Sequence, residues 1–165
     1  MKPVTTIIAG LMAISGLHAQ TEEQIKNLNE RLQTAWTTKS HQAMDALYCK
    51  DNADQYQIDV RVAWWESTWN SDKEPQLKNI RFLKQSDLER LSDPQNGDSK
   101  HTRYRELLDE MTRPKLMNGN SYIQNISAVG VLECDVIRGN LTRHDSVLVG
   151  LSPNGKLLFT LLKRS

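Results

Sequence analysis

Between residues 25 and 49 apolar side chains recur at spacings of three and four, in two runs that meet at Thr38-Lys39-Ser40. Ile25, Leu28, Leu32, Ala35 and Trp36 make the first stripe, and Ala43, Met44 and Leu47 the second. That period places side chains along one side of a helix. Neither run is long enough to hold a helix by itself in water, so both stripes need a partner later in the chain. Thr21 followed by Gln24 fits a capping box, with Glu22 and Glu23 at the positive end of the helix dipole. The pattern predicts a first helix from Thr21 to about Thr38, and a second, capped by Ser40, to about Tyr48.

Two periods compete from Asp51 to Asn70. Tyr56, Ile58, Val60, Val62 and Trp64 alternate as a half-buried strand does, whereas Tyr56, Val60, Ala63 and Trp64 share a helical face. The run continues unbroken to Trp69 with no Gly or Pro before Pro75, which favours a helix from near Asp54. Trp64, Trp65 and Trp69 exceed what one stripe can bury. They are a candidate surface for a partner, or large aromatics that close the mouth of a core.

Beyond Pro75, Leu77, Ile80, Phe82 and Leu83 predict a strand, residues 86–91 a helical turn and residues 92–99 a loop. Tyr104, Leu107, Leu108 and Met111 form a helical face that ends before Pro114. The last third reads as antiparallel sheet, with strands over 122–126, 128–137, 147–151 and 157–162. Its turns are Asn118-Gly119-Asn120, Gly139-Asn140 and the strong hairpin signal Ser152-Pro153-Asn154-Gly155. This order predicts an α+β fold, with N-terminal helices packed on a mainly antiparallel sheet.

The first residues change the boundaries of that fold. Met1-Lys2-Pro3 precedes an uncharged stretch from Val4 to Leu17, and Ala19 is followed by polar residues. This is the pattern of a secretory signal peptide over 1–19 cut near Ala19, and the apolar run is short of the roughly 20 residues that span a bilayer. It implies a secreted or periplasmic protein with no membrane span in the mature chain, and residues 20–165 as one α+β domain. Without Lys2 the basic residues equal the 20 acidic ones. A neutral chain has no long-range field to draw nucleic acid. Acidic residues outnumber basic ones over 20–75 and the reverse holds over 76–165, as in two halves that pack on each other.

Cys49 and Cys134 are the two cysteines. In an exported chain they form a disulfide, worth about 4 to 5 kcal/mol on the chain-entropy account, or they are two unlinked buried thiols. No His, Cys or carboxylate set has metal-ligand spacing, and there is no nucleophile motif or phosphate loop. Nothing points to a cofactor. Glu133 and Asp135 interrupt an apolar strand and share a face. Buried, one of them would serve as a general base; facing water, both are ordinary surface carboxylates and Cys134 points inward. His144-Asp145 is a second acid/base pair in principle, although strand neighbours point to opposite faces. Asn125 and Asn140 lie in glycosylation sequons to which no role is assigned.

Residues Ala35-Trp36-Thr37-Thr38-Lys39-Ser40-His41-Gln42-Ala43-Met44-Asp45-Ala46-Leu47-Tyr48, with Cys49 after them, carry a resemblance. The helix, short break and final Leu-Tyr, followed by the element order above, resemble the nuclear transport factor 2-like superfamily. The resemblance implies a curved, cone-like sheet around the first helix with a pocket used for isomerisation, dehydration, ligand binding or dimerisation. Two functions follow. The first is non-catalytic binding of a small apolar molecule or a protein partner, with Trp64, Trp65 and Trp69 at the site. The second is a pocket enzyme of the ketosteroid isomerase or polyketide cyclase kind, with Asp135 or Glu133 as base and Tyr48 or Tyr122 as donor. A homodimer through the exposed sheet face is a third reading.

Overall fold

The computed structural model describes residues 6–71, 74–97 and 99–164, with the side chains of 6–21 and 96 left aside. The leader expected over 1–19 therefore lies in part outside the described residues. Its remainder opens α1 (Thr6–Thr38), so the first helix does not start at Thr21. With the leader attached, the backbone at Thr21 is already helical and has no free N–H groups to cap. No helix among the described residues is long and apolar enough to cross a membrane.

Two polar side chains start the next helices. Ser40 accepts from Ala43 N at 3.2 Å to open α2 (His41–Asp45). Asp54 accepts from Tyr56 N at 3.0 Å to open α3 (Gln55–Trp69). Each satisfies an N–H group that a helix start leaves unbonded. Helix α3 buries Ile58, Val62, Trp65 and Trp69, whereas Tyr56, Val60 and Trp64 are exposed. The face traced by Tyr56, Val60, Ala63 and Trp64 is thus the outer one. The segment carries apolar residues on every side, so the two large indoles at Trp65 and Trp69 set its rotation rather than the period.

The strands are β1 (Gln76–Lys84), β2 (Lys115–Met117), β3 (Asn120–Gln124), β4 (Ala128–Arg138), β5 (Leu141–Leu151), β6 (Leu157–Phe159) and β7 (Leu162–Arg164). Between β1 and β2 run α4 (Gln85–Leu91) and α5 (His101–Thr112). The strands pair antiparallel in the orders β1-β4-β5-β6 and β2-β3-β7, and with the helices they define an α+β fold. The strand expected over 157–162 is divided between these two sheets. Thr160 N bonds Leu148 O at 2.9 Å, and Leu161 N turns instead to Asn125 Oδ1 at 2.8 Å. From there Leu162 pairs with Gln124.

Helices cover both faces of the larger sheet. On one, Leu132, Cys134, Val136 and Val149 meet Leu28 and Leu32 of α1 and Val62 of α3. Trp36 sits at the middle of this core, edge-on to Trp65 at 6.1 Å and to Trp69 at 6.2 Å. On the other face Val131, Leu148 and Leu83 pack against Leu88 of α4 and Tyr104 and Met111 of α5.

One buried amide ties three connections together. Asn125 Nδ2 donates to Cys49 O at 2.9 Å and Asp51 O at 3.0 Å, while its Oδ1 accepts from Leu161 N. The link between α2 and α3 and the switch between sheets are both held by this side chain. Its glycosylation sequon is occupied by structure, since the amide is buried and fully bonded. Asn125→Ala should cost about 2–4 kcal/mol of unfolding free energy, because it leaves the Cys49 carbonyl and the Leu161 N–H unpaired in the interior. Urea unfolding of the variant checks this, and a loss below about 0.5 kcal/mol would contradict the role.

Candidate functional site

Strand β5 is paired along its length by β4, but β6 meets it only from Val149 to Leu151. Past the Thr160–Leu148 bond the chain turns away, leaving residues 141–147 of β5 as a free edge. A cleft of about 300 Å³ opens between this edge and the departing segment. Arg61, Trp64 and Trp65 of α3 form one wall, and Leu107 of α5 with Lys115 and Gln124 of the second sheet forms the other. Val147, Leu148 and Leu161 give it an apolar lining, and Tyr48 reaches it from the turn after α2.

Tyr48 is fixed by a parallel bridge to Phe159 and an edge-on contact between the two rings at 5.3 Å. It is 4% exposed. Its Oη accepts from Trp65 Nε1 at 3.0 Å, and no acceptor for its own proton is found among the described residues. Burial pushes the hydroxyl up to about 12, so at neutral pH it keeps that proton and is a donor. Of the two cations on the walls, Lys115 is paired with Glu110 Oε1 at 2.8 Å. Arg61 is exposed and has no hydrogen bond or ion pair among the described residues. Asp145, also on the wall, is held by Arg143 Nε at 3.0 Å, and the Arg143 guanidinium lies 4.3 Å over the Trp64 ring. The cleft thus presents an unused hydroxyl proton and an open cation, while its carboxylates are already paired.

The aromatic patch expected at Trp64, Trp65 and Trp69 is reduced to Trp64, which is 38% exposed. Trp69 is buried against Trp36, and Trp65 is buried with its N–H spent on Tyr48. The physical reason is volume: the core between α1 and β4 is deep enough to take both indoles.

Glu133 and Asp135 do share a face, as their spacing predicts, but it is the face away from Tyr48. Glu133 Oε2 accepts from Arg81 Nε at 2.9 Å, and Arg81 Nη2 also donates to the Tyr104 hydroxyl at 2.7 Å. Asp135 accepts from Asn79 Nδ2 at 2.7 Å and is bonded to Nδ1 of His144, its cross-strand neighbour. Asn79 reaches it because β1 bulges there, with Asn79 at a φ of 52°. His144 therefore pairs with Asp135 and not with Asp145. Tyr122 belongs to β3, paired with Lys115, and is not among the residues that line the cleft. The base and donor set expected of a pocket enzyme is not brought together.

Cys49 and Cys134 are buried free thiols, the second of the two arrangements that the sequence leaves open. Cys49 lies outside β6 beside Phe159 and Cys134 on β4, with β5 and β6 between them. Three strand spacings are about 14 Å, twice the roughly 7 Å that a bridge allows between Cα atoms. Burial pushes the Cys134 thiol up to about 12, and the Cys49 thiol is raised by the same cause. Among the described residues no three His, Cys, Asp or Glu side chains are placed to hold a metal ion.

Sequence reading missed Arg61 and Asn125. The first stands one helical turn before Trp64 and Trp65, a signal that becomes visible only when the inward face of α3 is known. No family model, curated protein or solved structure matches the chain.

Both thiols should resist Ellman's reagent in the native protein at pH 8 and react together in denaturant, with the same unfolding midpoint with and without reductant. A midpoint that falls on reduction would contradict the free thiols. The Asn79 donor and His144 hold the Asp135 carboxyl below its ordinary value. Its stabilising contribution is therefore full above the unfolded value of about 4 and is lost as the pH falls through the lower folded value. Asp135→Asn should flatten that part of the stability curve below about pH 4, and an unchanged acid limb would show that the pair does no such thing.

Proposed function

We propose that this is an exported, non-catalytic binding protein that takes a small molecule with an apolar body and an anionic or carbonyl head into the cleft beside β5. The observation that carries this reading is the Tyr48 hydroxyl, buried on the cleft wall with a proton that no described residue accepts. A buried donor without an acceptor costs about 1–3 kcal/mol, and a ligand oxygen placed there recovers it. Arg61 supplies charge for an anionic head, and Leu107, Leu148, Leu161 and the Trp64 ring supply the apolar walls. This is the mix of apolar lining and few polar groups that small-molecule sites use. Export rests on the leader pattern of residues 1–19. The resemblance of Ala35 to Tyr48 to nuclear transport factor 2-like proteins points the same way, since Tyr48 ends that stretch at the cleft. An isomerase or dehydratase reading has less support, because Glu133 and Asp135 are bonded on the opposite face.

The probe is 2-naphthoate, whose 13 heavy atoms at about 0.3–0.4 kcal/mol each give a dissociation constant of about 0.1–1 mM. Tryptophan fluorescence should report saturable binding of the acid and weaker binding of naphthalene, which lacks the head. Tyr48→Phe should weaken 2-naphthoate about 3- to 10-fold and Arg61→Ala about tenfold or more, while Lys26→Ala on the exposed side of α1 leaves it unchanged. Equal affinity for both compounds, or for all three variants, would overturn the assignment.

A further inference from the structure

Asp145, Ser146 and Val147 of β5 line the cleft, and the backbone of the same edge carries bonding groups of its own. Thr160 N bonds the Leu148 carbonyl, so the backbone groups of Leu148 face the side where β6 runs. Alternate residues of a strand point the same way, and Ser146, His144 and Thr142 therefore turn their N–H and C=O groups to the open edge. No hydrogen bond to these backbone groups is found among the described residues. Leu141 to His144 are exposed, Leu141 at 68%.

We infer that this edge pairs antiparallel with the same edge of a second copy of the chain, about a two-fold axis at His144. The segment Thr142-Arg143-His144-Asp145-Ser146 is complementary to itself when reversed. Thr142 falls opposite Ser146 of the second copy, Arg143 opposite Asp145, and His144 opposite His144. Three outward residues per copy would exchange about six backbone bonds. Arg143 and Asp145 lie on one face, bonded at 3.0 Å within a chain, so pairing sets four charges of alternating sign side by side.

Inward-facing charges at a sheet edge deter most strands. They admit one that carries the opposite sign at each facing position, which is what selects this partner over an arbitrary strand. The two facing imidazoles each keep the Asp135 of their own chain as hydrogen-bond partner. In the same register Leu141 of the second copy falls opposite Val147, a wall of the cleft, so the paired strand takes up the opening a ligand would enter and pairing competes with ligand binding.

Sedimentation equilibrium of the purified protein, without 2-naphthoate, tests the pairing apart from ligand binding. The wild type should be dimeric at roughly 100 µM. Arg143→Asp and Asp145→Arg should each weaken the dimer about tenfold or more, and the two together should return it to within about threefold of the wild type. His144→Pro, which removes the central N–H donor, should leave a monomer with unchanged circular dichroism. If that variant fails to fold, the charge reversals still decide. A monomeric wild type, or a dimer whose strength neither single reversal changes, would overturn the proposal.

Discussion

Trp36 held edge-on between Trp65 and Trp69 is the contact on which the other features depend. Each indole removes enough surface from water to contribute about 4–6 kcal/mol as an upper bound, more than any hydrogen bond in the chain. Because Trp65 and Trp69 must point inward, α3 has one rotation open to it. That rotation turns Trp64 and Arg61 toward the edge of the sheet, where they become a wall of the cleft. The site geometry is thus a by-product of how the core is filled, and it inherits the rigidity of that core.

A second constraint comes from the interruption after β6. Asn125 draws Leu161 away from β5 and also holds the carbonyls of Cys49 and Asp51. The same amide that closes the fold therefore leaves the edge of β5 away from β4 open from residue 141 to 147 among the described residues and sets Tyr48 beside the gap. An opening bounded by a strand edge, a helix and a second small sheet follows from these two side-chain choices. It presents a protonated phenol and a guanidinium with no partner among the described residues, and the carboxylates of the sheet are consumed by Arg81, Arg143, Asn79 and His144.

Local features were legible in the chain. Ser40 and Asp54 act as caps where short polar side chains precede helical runs, and the turns at Gly119, Gly139 and Gly155 have the positive φ their composition predicts. The α+β class followed from the order of such elements. Features set by distant contacts were hidden. The rotation of α3 needed knowledge of the depth of the core, since Tyr56, Val60 and Trp64 look as apolar as Ile58, Val62 and Trp65. The division of 157–162 between two sheets turned on Asn125, more than 30 residues away, which reads locally as a sequon. The choice between a disulfide and two free thiols stayed open for a similar reason, because two buried thiols in one core carry no signal of how many strands lie between them.

In the proposed function the hydroxyl of Tyr48 and the face of α3 around it form a ligand site, separate from the deep tryptophan core. The chain has four tryptophans, so its indole N–H groups give four resolvable signals in a proton–nitrogen correlation spectrum. Titration with 2-naphthoate should move those of Trp64 and Trp65 and leave those of Trp36 and Trp69 in place. Four unmoved signals, or equal movement of the core pair, would show that the cleft is not where this protein binds.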